Sequence, residues 1–556
     1  MGFPSNESAS SRTSEICTLL RLGWPNSVSQ FLYFLPGLVM LRFLGTDPDD
    51  LAAAGMGFMF VNVTGQSFIM GSGIGSVTLI SQAFGAQNYV RCGDVLQRQL
   101  AIHAVLVIII GVGWFRCEQI FLALGQPSVV AARSAQYVRW RLGGLPCIAI
   151  RRDFQSYLLA QRVMQYPMVV GIVTNLLNVA CFVMLIPRLG FIGAPIATTL
   201  ADSIQAVIYI SCSRFFLSQR EAWPKWNLKI ALHGWREILV LGLPAGALQL
   251  GEWWAWEVNL FIAGRLCSGT TACIELDVFP ILSSTMVTLF TIHVGFSLAA
   301  GALVGNSLGA GDHERARRIS YQNMILVSSI AAVLALSLYA LRSVWGRLFV
   351  ANDEVISSIA NIIPLIAIYV FVDSLGPGAL VNVLRNAGVV RLPAIITYVA
   401  FYAIGIPCGL SFAFRLSWGV VGLWSGLVIG LIVQVLSLLC FVCCCLDWQQ
   451  LANDAQSRSS ASAIKINKVS AEAKYDSIAM DNLETDDVIA SDGEHERNGQ
   501  GSSTQVDVSI GLDCPPNSCL QMEVVSTKSH SEADSLRFTE QVIGKSLPYH
   551  QSRGET

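Results

Sequence analysis

Between Leu416 and Leu446 the chain reads LSWGVVGLWSGLVIGLIVQVLSLLCFVCCCL, without a single charged residue. A helix that crosses the roughly 30 Å hydrocarbon core of a bilayer needs about 20 apolar residues, because it rises about 1.5 Å per residue. The stretch exceeds that length. It therefore predicts a transmembrane helix and makes lipid the solvent for this part of the chain.

Comparable stretches occur along most of the sequence. Four more lack charge, at residues 22–41, 163–187, 319–341 and 392–414. Another four shorter or longer charge-free stretches lie at 51–90, 99–115, 278–311 and 355–372, and three stretches that contain charges lie near 136–160, 189–213 and 238–264. Of all 556 residues, 53% are hydrophobic and only 13% are charged. The sequence therefore predicts an all-α membrane protein with twelve transmembrane helices.

The basic residues of the loops predict the orientation of these helices. Arg91 and Arg98, the run from Arg214 to Arg236, and the cluster from Arg315 to Arg318 fall on one side if every span crosses. Loops rich in Lys and Arg face the cytoplasm, which predicts that both termini are cytoplasmic. The resulting division has a cytoplasmic N-terminus (1–20), an N-lobe of six helices (21–213), a cytoplasmic loop (214–237), a C-lobe of six helices (238–446) and a tail (447–556). Because the tail is dominated by polar residues, it is predicted to be disordered.

The two lobes carry an internal repeat. RLGWP at 21–25, followed by Gln30, recurs as VLGLP at 240–244, followed by Gln249. QAFGA at 82–86 recurs as NSLGA at 306–310, and Gln205 has its counterpart in Gln434. The glycines of the second pair predict close backbone approach and tight turns. Because each repeat has an even number of spans, both enter the membrane in the same direction, as in transporters whose halves rock around a central cavity.

Several motifs in this order resemble the eukaryotic multidrug and toxic compound extrusion (MATE) family, over about residues 15–450. The matching stretches are Pro25 with Gln30, NVTG at 62–65, TLISQAFGAQN at 78–88, LQR at 96–98, Asn175 with Asn178, EWWAWE at 252–257, GNSLGAGD at 305–312, GIP at 405–407 and GLWSG at 422–426. The resemblance implies two six-helix lobes in a V that export organic cations in exchange for protons, or for sodium in some members. The chain departs from the family in having Ser284 where a carboxylate is usual in the eighth helix.

The candidate site in the C-lobe consists of acids inside spans, because a carboxylate at mid-membrane costs about 2.5–3.5 kcal/mol and is usually functional. Glu252 lies one turn from Trp256, so an anionic group sits beside an aromatic ring, as a hydrophobic cation requires. Glu257 is about 140° around the helix from Glu252, which predicts that the two acids serve different faces. Asp373 precedes Pro377 by four residues, which predicts a kinked helix beside an acid. For each glutamate, the alternative is a contact that only holds neighbouring helices together, and for Asp373 it is a satisfied acid that breaks the helix.

The N-lobe offers a second set of polar residues. The fourth helix carries Arg139, Arg141, Arg151, Arg152 and Asp153, where the family is mainly apolar. An internal ion pair of these arginines with Asp202 is the favoured interpretation, and an anion-accepting patch is the alternative. The remaining N-lobe cavity candidates are Gln30, Asn175 and Asn178, although hydrogen bonding between helices explains the two asparagines equally well. The lone span histidines His103 and His293 are more typical of satisfied core residues than of proton carriers.

These features predict a secondary transporter that exports organic cations in exchange for protons. An exporter of organic anions and a sodium-coupled carrier are the alternatives, and a membrane-embedded enzyme is a distant one because no catalytic constellation is evident. The expected partners are a small-molecule substrate and the lipid bilayer. No cofactor beyond the ion gradient and, at a net charge of −2, no nucleic acid is expected. The protein is expected to work as a monomer, in the plasma membrane rather than a vacuolar one.

Overall fold

The computed structural model describes residues 6–44, 48–217, 219–266, 274–350 and 352–460. Within these residues the chain forms twelve long helical segments in the predicted order. They are α1 Asn6–Leu44, α2 48–85, α3 Tyr89–Phe115, α4 128–160, α5 Gln165–Leu189, α6 Gly193–Phe216, α7 Trp235–Leu266, α8 Ile274–Gly309, α9 His313–Ala340, α10 353–387, α11 391–415 and α12 Gly419–Cys444. The prediction of twelve helices is confirmed.

Four of these segments change their winding along their length. Three contain π-helical turns, which lie at Asn62–Gln66 in α2, at Ser374–Val381 in α10, and at Val399–Gly405 and Ser411–Arg415 in α11. A 3₁₀ turn at Leu142–Gly144 interrupts α4. Pro377 lies in the π-helical turn of α10, where its missing N–H and its ring disturb the regular hydrogen bonds.

The surface of the helices is suited to lipid. Large apolar side chains such as Ile108, Leu176 and Ile325 are each about two-thirds exposed, and such contiguous exposure marks a membrane-facing surface. Eight stretches of the described residues are long and apolar enough to span a membrane, and one of them, Gln165–Phe216, covers both α5 and α6. The segment α4 is not among these stretches, because the arginines listed above lower its hydropathy.

The two lobes meet along four helices. α1 packs on α8, and α2 packs on both α7 and α8. A Cβ at Gly85 would collide with the backbone of Asn306, and a Cβ at Gly309 would collide with the backbone of Gln82. Each glycine of the repeat thus packs against the backbone of the other repeat, which is the close approach that the sequence predicted. We call these four residues the glycine contact.

The glycine contact lies at the end of the molecule that carries the basic loops. Here α1 begins at Asn6, well before the predicted first span, and Glu15 pairs with Arg315 at 3.7 Å and with Arg318 at 3.6 Å. Arg91, at the start of α3, pairs with Glu237 of α7. Ion pairs therefore join the two lobes at the end that the sequence assigns to the cytoplasm.

A thirteenth long helix, α13 (residues 448–460), corrects the predicted start of the disordered tail at residue 447. Its apolar residues recur at helical spacing, and Trp448, Ala452 and Ala455 are buried against α1 and α8. The Nε atom of Arg458 donates to Gln82 Oε1 at 3.1 Å, while Asn88 donates to the carbonyl of residue 459 at 3.1 Å. The helix was missed because its short apolar stripe is surrounded by polar residues. Residues 461–556 lie outside the described part of the chain.

Candidate functional site

A cavity of about 330 Å³ lies between the two lobes. This volume is within the range of pockets that hold small organic molecules. Its N-lobe wall includes Tyr33, Arg141, Arg151, Asn175, Asn178 and Asp202. Its C-lobe wall includes Glu252, Trp256, Glu257, Phe279, Met286 and Asp373. Six of the candidate residues singled out in the sequence do not line this cavity: Gln30, His103, Arg139, Arg152, Asp153 and His293.

A second cavity, of about 130 Å³, shares Tyr33 and Glu252 with the first. It is lined by Gln30, Arg152 and Asp153 of the N-lobe and by Arg385 of the C-lobe. The two cavities are therefore neighbours. Gln30 lies at this smaller cavity rather than at the main one.

Glu252 is buried and has two polar partners. Its Oε1 accepts a hydrogen bond from Gln434 Nε2 at 3.1 Å, and its Oε2 lies 3.9 Å from Arg385 Nη2. Gln434 is itself held by Thr397 at 2.6 Å, and Arg385 donates to Gln249 at 2.9 Å. The carboxylate is thus positioned from α10 and α12 while one side stays open to the cavities.

Asp373 lies directly before the π-helical turn of α10. Its Oδ2 is 3.5 Å from Nε2 of His293, and both side chains are almost fully buried. Neither that oxygen nor either ring nitrogen of His293 has a hydrogen-bond partner among the described residues. Asp373 is therefore a buried acid with a titratable neighbour, next to a part of the helix whose winding is irregular.

Aromatic rings surround the acids of the C-lobe. Trp256 packs edge-on against Tyr369 at 5.2 Å and against Trp424 at 5.5 Å, measured between ring centroids. Trp256 lines the main cavity together with Glu252 and Glu257. The expectation that the two glutamates serve different environments is wrong, because both line the same cavity at the boundary where α7 packs on α2.

The ion pair predicted in the N-lobe is present. Arg141 Nη2 lies 2.7 Å from Asp202 Oδ2, and Arg151 Nε lies 3.9 Å from the other oxygen of Asp202. Arg139 instead pairs with Glu118 at 2.8 Å, near the surface. Arg139 therefore belongs to an exposed ion pair outside the cavity, whereas Arg141 and Arg151 are buried at the cavity wall.

The polar residues beside this group are mostly satisfied by local contacts. Asn175 donates to the carbonyls of Leu32 at 3.1 Å and Gly171 at 2.8 Å, as the packing interpretation requires. His103 bonds Asp153 at 2.9 Å, which agrees with its interpretation as a satisfied core residue. Asn178 is buried with its side-chain oxygen unbonded.

Sequence reasoning missed three residues of the site. Arg385 was not considered, the proximity of His293 to Asp373 was not foreseen, and Tyr33 was passed over among other aromatic residues of the first span. Gln434 was noted only as the repeat counterpart of Gln205. That repeat was a usable signal, since Gln205 lines the main cavity and Gln434 holds Glu252.

Several known proteins are similar to this chain in sequence and in fold. A family model described as MatE matches residues 25–184 and 244–410, one match in each lobe. Multidrug and toxin extrusion protein 1 of Homo sapiens is 28% identical over 458 residues, which cover 82% of this chain and 78% of that protein. Protein DETOXIFICATION 12 of Arabidopsis thaliana is 29% identical over 433 residues, covering 78% and 88%.

Among solved structures, the crystal structure of the eukaryotic MATE transporter AtDTX14 matches with a TM-score of 0.74 at 23% identity, covering 81% of this chain and 99% of that one. That likeness shows the same fold. Because the two family matches span more than half of the chain, one in each of its two lobes, this protein belongs to the MatE family of multidrug and toxin extrusion transporters.

Proposed function

We propose that this transporter exports organic cations in exchange for protons. The observation that carries the proposal is the position of Glu252 and Asp373, two buried carboxyl groups on the C-lobe wall of the main cavity, which the ring of Trp256 also lines. An aromatic ring next to an anionic group is the chemistry that attracts a hydrophobic cation out of water.

Coupling follows from the cost of buried charge. A carboxylate inside a membrane protein needs a partner. Among the described residues, Glu252 has only the distant Arg385 as a basic partner, at 3.9 Å, and Asp373 only His293, at 3.5 Å, so a proton or an organic cation completes the neutralisation. Because the two compete for the same groups, a proton that enters from one side displaces a cation bound from the other. Mutual exclusion at Glu252 and Asp373 therefore links the two fluxes.

An exchanger must also open its cavity to each side of the membrane in turn. In the conformation described, the lobes are joined at the glycine contact, and the cavity lies farther along the same helices. The π-helical turn after Asp373 gives α10 a place where its winding changes when the charge on the acid changes. Protonation of Asp373 is thereby linked in the proposal to the arrangement of the C-lobe.

A transporter that works as a monomer stays a prediction. The plasma membrane stays the predicted location, and microscopy of the tagged full-length chain tests it.

The test is efflux of ethidium from proteoliposomes under an imposed pH gradient, a sodium gradient or no gradient. Glu252→Gln and Asp373→Asn should each reduce pH-driven efflux at least tenfold at normal protein abundance. Glu354→Gln is the control, because this acid lies exposed at the start of α10, the same helix as Asp373. Efflux driven by sodium alone, or unchanged pH-driven efflux in both cavity variants, would contradict the proposal.

A further inference from the structure

Two arginines on the N-lobe wall lack a carboxylate of their own. The nearest acid, Asp202, is held by Arg141 at 2.7 Å and lies 3.9 Å from Arg151. Arg152 has no carboxylate at ion-pair distance among the described residues, and Asp153 bonds His103 instead. Yet Arg151 is only 5% exposed and Arg152 only 9% exposed. Arg141 and Arg151 therefore share one carboxylate and Arg152 has none among the described residues, so the positive charge at this buried wall is compensated only in part.

The two arginines lie next to each other and face the cavities. Arg152 packs over the ring of Tyr33 with its guanidinium carbon 4.0 Å from the ring centroid, and Arg151 lies 5.3 Å from the same centroid. Arg151 lines the main cavity, and Arg152 lines its smaller neighbour. The Nε atom of each is buried without a hydrogen-bond acceptor. Two adjacent guanidinium groups thus line the space between the lobes, and each keeps a buried donor without an acceptor among the described residues.

The opposite wall carries the opposite charge. The C-lobe contributes Glu252, Glu257 and Asp373, with Arg385 as the basic residue among them. Arg385 already pairs with Glu252 at 3.9 Å. Among the described residues, no ion pair joins Arg151 or Arg152 to these acids. The space between the lobes is therefore polarised, with net positive charge on the N-lobe side and net negative charge on the C-lobe side.

We propose that the N-lobe wall at Arg151 and Arg152 binds an oxyanion, so that the preferred substrates are amphoteric organic molecules with a cationic group at one end and a carboxylate or similar oxyanion at the other. Guanidinium groups suit this role, because their planar donors match the oxygens of a carboxylate, sulfate or phosphate group. The cationic end meets Glu252 and Trp256, and this part rests on the proposed function.

The test compares two dyes that differ at one group. Tetramethylrhodamine carries a xanthylium cation and a free carboxylate, whereas its methyl ester keeps the cation and loses the anion. Their affinities for the full-length transporter in nanodiscs are measured by fluorescence anisotropy. The wild-type protein should bind the free acid at least tenfold more tightly than the ester, which corresponds to about 1.4 kcal/mol.

Variants assign that preference to the arginines. Arg151→Gln and Arg152→Gln should each reduce the preference at least fivefold. Arg139→Gln should keep it, since Arg139 lies on the same helix but pairs with Glu118 outside the cavity. Arg151→Lys retains the charge and should keep part of the preference, which covers the case in which the neutral variants fail to fold.

Equal binding of the two dyes by the wild-type protein would overturn the inference. So would a preference for the acid that persists in Arg151→Gln and Arg152→Gln. Neither outcome touches the proposed function, which is judged separately by pH-driven efflux of ethidium, a cation without an acidic group. Conversely, ethidium efflux that ignores the pH gradient would contradict the proposed function while leaving the dye preference as the measure of the anion site.

Discussion

Replacement of Gly85 by alanine should shift the transporter away from the conformation described here. The added Cβ would lie 2.6 Å from the carbonyl carbon and 2.8 Å from the Cα atom of Asn306. Carbon atoms in ordinary contact are about 3.5–4.0 Å apart. Because the obstructing atoms are backbone, no side chain can move aside. α2 and α8 must therefore separate by about 1 Å at the glycine contact.

The energetic effect follows from three hydrogen bonds that join the two lobes beside this contact and that lengthen when the lobes separate as rigid bodies. Thr78 donates to the carbonyl of residue 385 at 2.9 Å, Gln82 to that of residue 386 at 3.0 Å, and Asn306 to that of Ala160 at 3.0 Å. A separation of about 1 Å stretches all three beyond hydrogen-bonding distance, and each contributes about 1 kcal/mol. The conformation with the glycine contact closed should lose about 3 kcal/mol of stabilising free energy, which lowers its population relative to the separated conformation roughly a hundredfold.

Folding itself should not suffer from this change. Alanine in a helix is favoured over glycine by up to about 1 kcal/mol, and this gain applies in every conformation of the lobes. Gly55→Ala is the matched control, because Gly55 lies in the same α2 and a Cβ there meets no atom within 4 Å. Both variants should therefore be produced at normal abundance.

Spin labels at positions 90 and 314 report the separation. Val90 is 47% exposed and the side chain of Glu314 is 75% exposed, one on each side of the contact. The labels belong in a background in which the cysteines exposed among the described residues are serine, at positions 17, 440, 443, 444 and 445. The four cysteines outside the described residues, at positions 267, 273, 514 and 519, are replaced as well. Gly85→Ala should move the distance distribution to longer values. A distribution unchanged from wild type, or an equal shift in Gly55→Ala, would refute the reasoning.

Three further predictions concern the cavity walls and the thirteenth helix. Asp202→Asn should lower the folded yield measured by size-exclusion chromatography, because it leaves the charge of buried Arg141 without a partner, at a cost in stability of about 3–5 kcal/mol. The double variant with Arg141→Gln should recover that yield. Arg458→Ala should lengthen the same spin-label distance, since its guanidinium bonds α2 at 3.1 Å and the end of α10 at 3.4 Å, and an unchanged distance would show that α13 does not hold the lobes together. Gln434→Leu should raise the ethidium concentration needed for half-maximal efflux several-fold, because Glu252 loses its only hydrogen-bond donor among the described residues. An unchanged concentration dependence would argue against positioning of Glu252 by Gln434.

Much of the candidate site could be predicted from single residues. Glu252, Trp256 and Asp373 were identified because ionisable and aromatic groups are conspicuous inside apolar spans. Their partners were harder to find. His293 and Arg385 approach the acids from helices that are distant in the chain, and no local pattern encodes such a distance.

Helical geometry alone also misled in one place. The angle of about 140° between Glu252 and Glu257 predicts different environments for the two side chains when only one side of the helix is packed. In the structure both line the cavity, because α7 stands at the boundary of the two lobes. The environment of a side chain depends on what surrounds the helix as well as on its direction.

The sequence by itself determined that this is an all-α membrane protein of two repeated lobes, because backbone groups in lipid must be satisfied within each helix and apolar length records every span. It also determined which residues are chemically unusual there. Only the tertiary structure decided that the arginines of α4 face the acids of α7 and α10 across one cavity, and that α13 joins α2 and α10 beside the glycine contact. The physical reason is that spans are specified locally by transfer from water to lipid, whereas the pairing of charges between helices depends on packing contacts between residues hundreds of positions apart.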